Sequence, residues 1–403
     1  MSDYKDDDVL IASVVRTPIG RARKGSLVSV RADDLAVQAV SAALAAVPEI
    51  PVDAVEDLYL GCAEPEDEQG QNMARRVAVL LGQDRLPGAT VTRFCASSLQ
   101  ALRMAFHAVR AGEGDVFVAA GVESVSRYVA REQRPHPAFE GPGARARQQA
   151  EGDSWVDPRM EGELPDVYVA MGLTAEFVAR RHGVGREDQD ALALRSQRRA
   201  AGAIASGLFA REIVPVRLTD GTIVDADDSP RPATTREGLA ALPPAFVPHG
   251  TVTAGNACPL NDGASAAVVV SGRTARATGL VPRARILSSA VAGVSPEIMG
   301  MGPVPAIQTA LDRAGARVDD IDVFEINEAF ASQVVASQRA LGIDDERLNP
   351  LGGAIALGHP FGATGVRMVG TLLNGLSVRG GTLGVAGLCI GGGQGMAVVI
   401  EAL

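Results

Sequence analysis

The chain has 403 residues, 46% of them apolar, with 48 acidic against 38 basic side chains and a formal charge of −10. That length exceeds one typical core, so two or three domains of about 100–200 residues are expected, and the acidic balance argues against a nucleic-acid binder. Four cysteines without a C-x-x-C pair or zinc spacing point to reduced thiols in the cytoplasm and to no metal centre, and no apolar run approaches the ~20 residues of a membrane span.

The start, Asp3-Tyr-Lys-Asp-Asp-Asp8, is unlike a signal or transit peptide and nearly spells a common epitope tag, so residues 1–8 are left out of the fold expectation. From there strand-like and helical patterns alternate. A strand is predicted over 9–15, a helix over 32–46 and a strand over 57–61. The run at 91–94 reads as a strand end, and Leu99, Leu102 and Phe106 then recur at helical spacing until Gly112. Cys95 in Val91-Thr-Arg-Phe-Cys95-Ala-Ser-Ser-Leu99 is thereby placed at a helix N-terminus. Unpaired N–H groups and the helix dipole favour an anion there, so a stabilised thiolate is expected, against the plainer reading of a buried core cysteine. A strand follows over 115–121. Residues 127–159 are rich in Arg, Pro and Gly, and 170–207 read as helical.

A comparable order returns after about Pro282: a strand over 285–291, a helix over 304–314, a strand over 321–326, a helix over 366–376, and closing apolar runs at 383–386 and 396–400. The pattern is an α/β fold with a weak internal repeat. One half is expected over 9–126, completed by about 261–281, a second over 282–403, and an inserted domain over 127–260.

Further segments carry chemistry. Ile326-Asn327-Glu328-Ala-Phe330 presents an amide at a strand end. Gly352-Gly-Ala-Ile-Ala-Leu-Gly358-His359-Pro360-Phe-Gly362-Ala-Thr-Gly365 sets one histidine in a tight glycine-rich turn. Gly387-Leu-Cys389-Ile-Gly391-Gly-Gly-Gln-Gly395 puts a second cysteine in a turn that leads into a strand, not a helix, so it is no phosphate cradle. Thr251-Val-Thr-Ala-Gly-Asn256 precedes Asn261-Asp-Gly-Ala. With the Cys95 segment, these resemble the motifs of the thiolase family from about residue 9 to the C-terminus. The resemblance implies a five-layer α-β-α-β-α sandwich of two similar halves with an inserted loop domain. It implies an acyltransferase that cleaves 3-ketoacyl-CoA by thiolysis, or condenses acyl-CoA with acetyl-CoA. Coenzyme A is then a co-substrate, with no permanently bound cofactor.

The same resemblance carries roles onto residues. Cys95 takes the acyl group as a thioester. An ordinary thiol of pKa ~8.5 is little ionised at neutrality, so His359 is needed as its base. Cys389 moves the second proton, Asn327 with His359 holds an oxygen over the enolate, and the N–H groups of Cys95 and Gly391 form the other oxyanion site. Arg231 and Phe246 fit the adenine end of CoA. Ala254, Gly255, Leu260, Ala329 and Phe330 fit the pantetheine arm, with Cys258 where many relatives have serine, and Met171 is a further CoA-binding candidate. The arginines over 127–147 read as a solvated face, with CoA phosphates as the alternative ligand. His107, His136, His182 and His249 read as structural. Ala170 stands where short-chain acetoacetyl-CoA thiolases carry a histidine, so longer acyl chains are expected. Three alternatives are a short-chain acetyltransferase, a decarboxylating ketoacyl synthase, which needs a histidine or asparagine in place of Cys389, and a non-catalytic CoA- or lipid-binding relative. A homodimer or homotetramer is implied, with β-oxidation enzymes as candidate partners.

Overall fold

The computed structural model describes residues 4–128, 135–152 and 154–403. The N-terminal half comprises β1 (Val9–Arg16), a two-residue β2 (Gly20–Arg21), α1 (Ala32–Ala45), β3 (Asp57–Gly61), α2 (Met73–Leu80), β4 (Gly88–Val91), α3 (Ser97–Ala111) and β5 (Val116–Ser124). An excursion follows, with α4 (Glu140–Glu151), α5 (Met171–Arg181), α6 (Arg186–Ala205), a small hairpin of β6 (Val216–Arg217) and β7 (Ile223–Val224), and α7 (Arg236–Ala240). The chain returns to the sheet as β8 (Asn261–Ser271), and α8 (Gly272–Thr278) leads out of it. The C-terminal half runs through β9 (Ala284–Gly293), α9 (Pro303–Ala314), β10 (Val323–Ile326), α10 (Ala331–Leu341), α11 (Ala354–Leu357), α12 (Thr364–Arg379), β11 (Leu383–Ile390) and β12 (Gln394–Ala402).

Hydrogen bonding orders the strands β4-β3-β5-β8-β1 and then β9-β12-β11-β10. The two sets join where Leu10 faces Arg285 and Ile11 faces Ala284. In each set an inner strand lies parallel to its neighbour, β3 with β5 and β10 with β11. The remaining partners, β8 and β1 in one set and β12 and β9 in the other, are antiparallel. The internal repeat is thus explicit. The counterpart of β4 has shrunk to a single parallel bridge, Phe324 to Leu348.

Apolar residues separate three cores. On β8, Ala266, Val268 and Val270 face one core while Ala267 and Val269 face the next, the period of two that a pleated strand imposes. The first core lies beneath α1 and α2, with Leu35, Ala39 and Val77. The second holds Leu99 and Leu102 of α3 and Val366, Val369 and Leu372 of α12, between strands of both halves. The third lies beneath α9 and α10, with Ile307, Leu311 and Val334. Five layers result, α-β-α-β-α. Strands covered by helices on both faces must be apolar throughout, which is why β5 and β8 are buried along their whole length.

The structure corrects several sequence expectations. The run at 91–94 is not all strand: β4 stops at Val91 and Phe94 takes a left-handed φ of 44°. The helix over 170–207 is two helices, broken where Gly183 turns left-handed at φ 61°. The Arg- and Gly-rich stretch contains α4, whose Ala146 and Ala150 pack with Trp155 and Phe177. Residues 4–8 also belong to the fold. Tyr4 is buried, with the Arg276 guanidinium 5.6 Å from its ring centroid, and Asp8 pairs with Arg285 at 2.8 Å. Among the described residues, no helix is long and apolar enough to cross a membrane.

The two central helices touch closely enough to specify glycine. A Cβ on Gly365 would lie 2.4 Å from the Leu99 backbone nitrogen, and that atom cannot swing aside. Gly365→Ala should therefore cost about 1–3 kcal/mol through overpacking, seen as a lowered midpoint in denaturant unfolding.

Candidate active site

The carboxyl ends of the inner strands place the site. Cys95 lies in the 3₁₀ turn Phe94–Ala96, between β4 and α3. The Ser97 hydroxyl stiffens this turn: it donates to the Phe94 carbonyl at 2.7 Å and accepts from the Arg93 N–H at 2.9 Å. Phe94 projects outward, 44% exposed, while Cys95 is half-buried. The Gly391 N–H, from the turn after β11, is aimed at the Cys95 thiol and favours its anion. Burial nevertheless dominates and pushes the thiol up to about 12, so the expectation of a thiolate stabilised by the helix end is overturned.

His359 is buried in the loop before α12. Its Nδ1 lies 2.7 Å from the Thr364 hydroxyl, which also lies 2.9 Å from the Pro360 carbonyl. The carbonyl can only accept, so the hydroxyl gives its proton there and accepts from Nδ1–H. Nε2 is therefore left with its lone pair. Asn327 Nδ2 sits 3.3 Å from that Nε2, and the Asn327 Oδ1 accepts from Arg367 Nη2 at 3.4 Å, which fixes the amide so that its NH₂ faces the imidazole. Arg367 in turn pairs with Glu325 at 2.8 Å. Burial first, and then the Arg367 charge, lower the imidazole to about 3, so His359 is neutral throughout the physiological range. The His359 N–H is held by Asn261 Oδ1 at 2.9 Å, and Phe361 stands edge-on to the ring at 5.0 Å.

Cys389 is buried near the end of β11, where its thiol and those of Cys95 and Cys258 lie within each other's electrostatic reach and burial raises all three. Cys389 packs with Ala175, Val252, Ala329 and Phe330 and with Met171. Gly391 is not required by protein packing, since a Cβ there would meet only Met171 Sδ at an ordinary 3.5 Å. Gly393 is required: its φ is 82°, and a Cβ would lie 2.4 Å from the Val294 carbonyl oxygen.

The residues expected to hold CoA separate into two places. Arg231, Ala254 and Gly255 line a cavity of about 260 Å³ together with Arg21, Ser229 and Pro259. Cys258 N–H donates to the Ala329 carbonyl at 3.1 Å, and Leu260 bridges to His359, so this strip leads to the His359 loop. Phe246 does not line that cavity. Its ring sits over Gly172 and edge-on to Phe330 at 6.1 Å. Of the arginine cluster, Arg127 pairs with Glu68, and Arg145 with Glu163 and the buried Glu297; Arg131 and Arg134 lie outside the described residues. Thr364, Asn261, Arg367 and Arg21 were not singled out in the sequence. Thr364 and Asn261 lay inside quoted motifs without a role, and nothing in the sequence marks Arg21 or Arg367.

Residues 9–273 match the family profile described as thiolase, N-terminal domain, and residues 280–402 the profile described as thiolase, C-terminal domain. A β-ketoadipyl-CoA thiolase of Pseudomonas aeruginosa is 46% identical over 400 residues, spanning 98% of this chain and 99% of that protein. A 3-ketoacyl-CoA thiolase of Aeromonas hydrophila is 44% identical over 405 residues, with 98% and 99% spanned. The crystal structure of the dimeric peroxisomal thiolase of Saccharomyces cerevisiae matches at a TM-score of 0.89 and 32% identity, covering 100% of this chain and 99% of that one. A five-layer sandwich that gathers a thiol, a neutral imidazole and a backbone N–H donor at its strand ends defines an acyltransferase. The chain belongs to the thiolase family.

Two outcomes follow from this geometry. Because the Cys95 thiol is raised to about 12 and His359 lowered to about 3, alkylation by iodoacetamide should rise about tenfold per pH unit from 7 to 10, without an inflection near 6.5. A plateau above pH 7 would indicate a preformed ion pair. Thr364→Val removes the acceptor that fixes the imidazole tautomer, so kcat should fall about 10²-fold, while Thr364→Ser should retain most activity in a steady-state thiolysis assay.

Proposed function

We propose that the protein cleaves 3-ketoacyl-CoA substrates longer than acetoacetyl-CoA through a Cys95 acyl-enzyme, with coenzyme A as co-substrate and no resident cofactor. The observation that carries this reading is the fixed tautomer of His359, whose bare Nε2 faces the amide of Asn327 at the strand ends that also carry both thiols.

The reaction starts from neutral groups. Cys95 sulfur attacks the 3-keto carbon while His359 Nε2 takes the thiol proton, so charge develops only as the bond forms. N–H groups at Cys95 and Gly391 stabilise one oxyanion, and Asn327 with His359 the other; each such donor typically contributes ~10²–10³ in rate. The C2–C3 bond breaks, Cys389 protonates the departing carbanion, and acetyl-CoA leaves. A second CoA then gives its thiol proton to the Cys389 thiolate and attacks the Cys95 thioester. Release of acyl-CoA returns the first proton from His359 to Cys95. Running the steps backwards gives condensation.

Several features support the longer substrate. Ala170 is small and exposed ahead of α5, and Val167 and Met171 present apolar atoms to Gly392 and Gly391. Extra burial gives ~0.8 kcal/mol per CH₂, so two methylenes favour the longer chain by about tenfold in kcat/KM when the gain persists in the transition state. Relatives are named for 3-ketoacyl-CoA and for β-ketoadipyl-CoA, and the adipyl chain of the latter exceeds four carbons. Pantetheine would pass Ala254, Gly255, Cys258, Leu260, Ala329 and Phe330, with Arg231 near the nucleotide end. A homodimer is the proposed assembly, after the dimeric yeast relative, and four free cysteines support a cytoplasmic location.

Thiolysis of 3-ketoacyl-CoAs from four to twelve carbons tests the substrate. Activity should rise beyond four carbons; a peak at acetoacetyl-CoA would instead favour a short-chain acetyltransferase. Incubation with acetyl-CoA should place one acetyl group on the Cys95 peptide in Cys389→Ser as in the parent protein, while that variant loses exchange of acetyl-CoA methyl protons with solvent. Acetyl on Cys389, or undiminished turnover in Cys95→Ala, overturns the assignment.

A further inference from the structure

The internal repeat pairs each catalytic position with one in the opposite half. Gly61 of β3 lies opposite Gly121 of β5, as Ile326 of β10 lies opposite Gly387 of β11. One residue beyond these pairs, Cys62 corresponds to Asn327, and two beyond, Glu123 corresponds to Cys389. Cys95 stands two residues before α3 begins at Ser97, and Gly362 two before α12 begins at Thr364. Where Cys389 of the second half serves Cys95 of the first, Glu123 of the first half therefore serves Gly362 of the second.

The contacts follow that correspondence. Glu123 is fully buried, and among the described residues no cation lies within ion-pair distance. Its Oε2 accepts from the N–H groups of Gly362 at 2.9 Å and Ala63 at 2.8 Å. Its Oε1 accepts from Gln69 Nε2 at 2.9 Å, the Glu64 N–H at 3.3 Å and the Cys62 thiol at 3.7 Å. The opposite face of the same peptide segment is also held, for the Gly362 carbonyl accepts from the Ser98 N–H in the first turn of α3 at 3.1 Å. A Cβ on Gly362 would lie 2.2 Å from the Val122 carbonyl oxygen and 2.9 Å from Glu123 Oε2. The loop that carries His359 and the helix start that follows Cys95 are thus hung from one point.

We propose that Glu123 is a positioning residue for thiolysis: its carboxylate fixes Gly362, and through Gly362 the distance between the imidazole of His359 and the thiol of Cys95. The role rests on the reading of Cys95 and His359 given above. Glutamine at 123 keeps only one acceptor oxygen, so its NH₂ is set against either the Gly362 and Ala63 N–H groups or the Gln69 and Glu64 donors, and the five-donor anchor that holds the His359 loop is broken while the strands keep their ladders.

Glu123→Gln and Glu123→Asp test this in the full-length protein. Expected for Glu123→Gln is a fall in kcat of about 50- to 100-fold with KM for CoA within twofold, a slower acetylation of Cys95, and a ¹⁵N-imidazole spectrum in which His359 no longer shows the single Nδ1–H form. Glu123→Asp keeps a carboxyl group but is one methylene short, so an intermediate fall of about tenfold is expected, and it serves if the glutamine variant does not fold. Unchanged kcat per folded molecule and an unchanged His359 spectrum, with only a lowered melting temperature, would overturn the proposal. Absence of acetyl on Cys95 in the parent protein would instead strike the reading of the site itself.

Discussion

Backbone N–H groups in the loops around the strand ends have no ladder partner, and buried carboxylates supply their acceptors. Glu328 accepts from Ser196 Oγ, Asn349 Nδ2 and the Ile355 N–H, tying α6 of the excursion to the C-terminal half. Glu176 accepts from the N–H groups of Thr251 and Val252. Glu297 accepts from Trp155 Nε1, the Asp166 N–H and Arg145. Arg16, itself buried, holds Glu212 and Asp227 from opposite sides. A buried charge costs several kcal/mol unless donors surround it, and each of these carboxylates has at least two. Removing one donor leaves an unmet acceptor worth about 1–3 kcal/mol. Irregular loops thereby gain the fixity that strands obtain from their ladders, and the placement of Cys95, Asn327, His359 and Cys389 depends on that fixity.

Much of this could be read in the sequence, for a physical reason. Apolar periodicity reports burial, so many strands and the helices α1, α3, α9 and α12 were legible while α2, β8 and α10 were not, and the motifs around Cys95, Asn327, His359 and Cys389 each fall at a strand end or helix start. What could not be read depends on distant partners. The Cys95 thiol was expected to be lowered by its local helix end, yet burial in the folded chain raises it and wins. Phe246 was paired with Arg231 by position, and only the fold shows it against Phe330. Glu123 gave no sign, because its donors lie near residues 62–69 and at residue 362. Residues 4–8 looked like an appendage from composition alone, and their packing needed Arg276 and Arg285 to be in place.

A neutral thiol and a neutral imidazole in one site carry a chemical advantage. An exposed thiolate is open to oxidants and stray electrophiles, whereas a protonated, desolvated one reacts only where a base and oxyanion donors are already aligned with it. Discrimination therefore resides in substrate placement as well as in the nucleophile. Arg367 adds to this: it orients the Asn327 amide, and its charge reinforces the burial that keeps the imidazole unprotonated.

The shared central layer has a consequence for biosynthesis. Once β8 is complete at Ser271, every strand of the first half exists, but α3 still lacks the helix that covers its flank, and α12 ends about a hundred residues later. At about 5–20 residues per second on the ribosome, the apolar side chains of Leu99 and Leu102 wait roughly 5–20 s for Val366 and Leu372. A nascent chain at that stage offers a hydrophobic flank with no partner of its own, so ribosome-associated chaperones should find the first half a client even though its sheet is already whole.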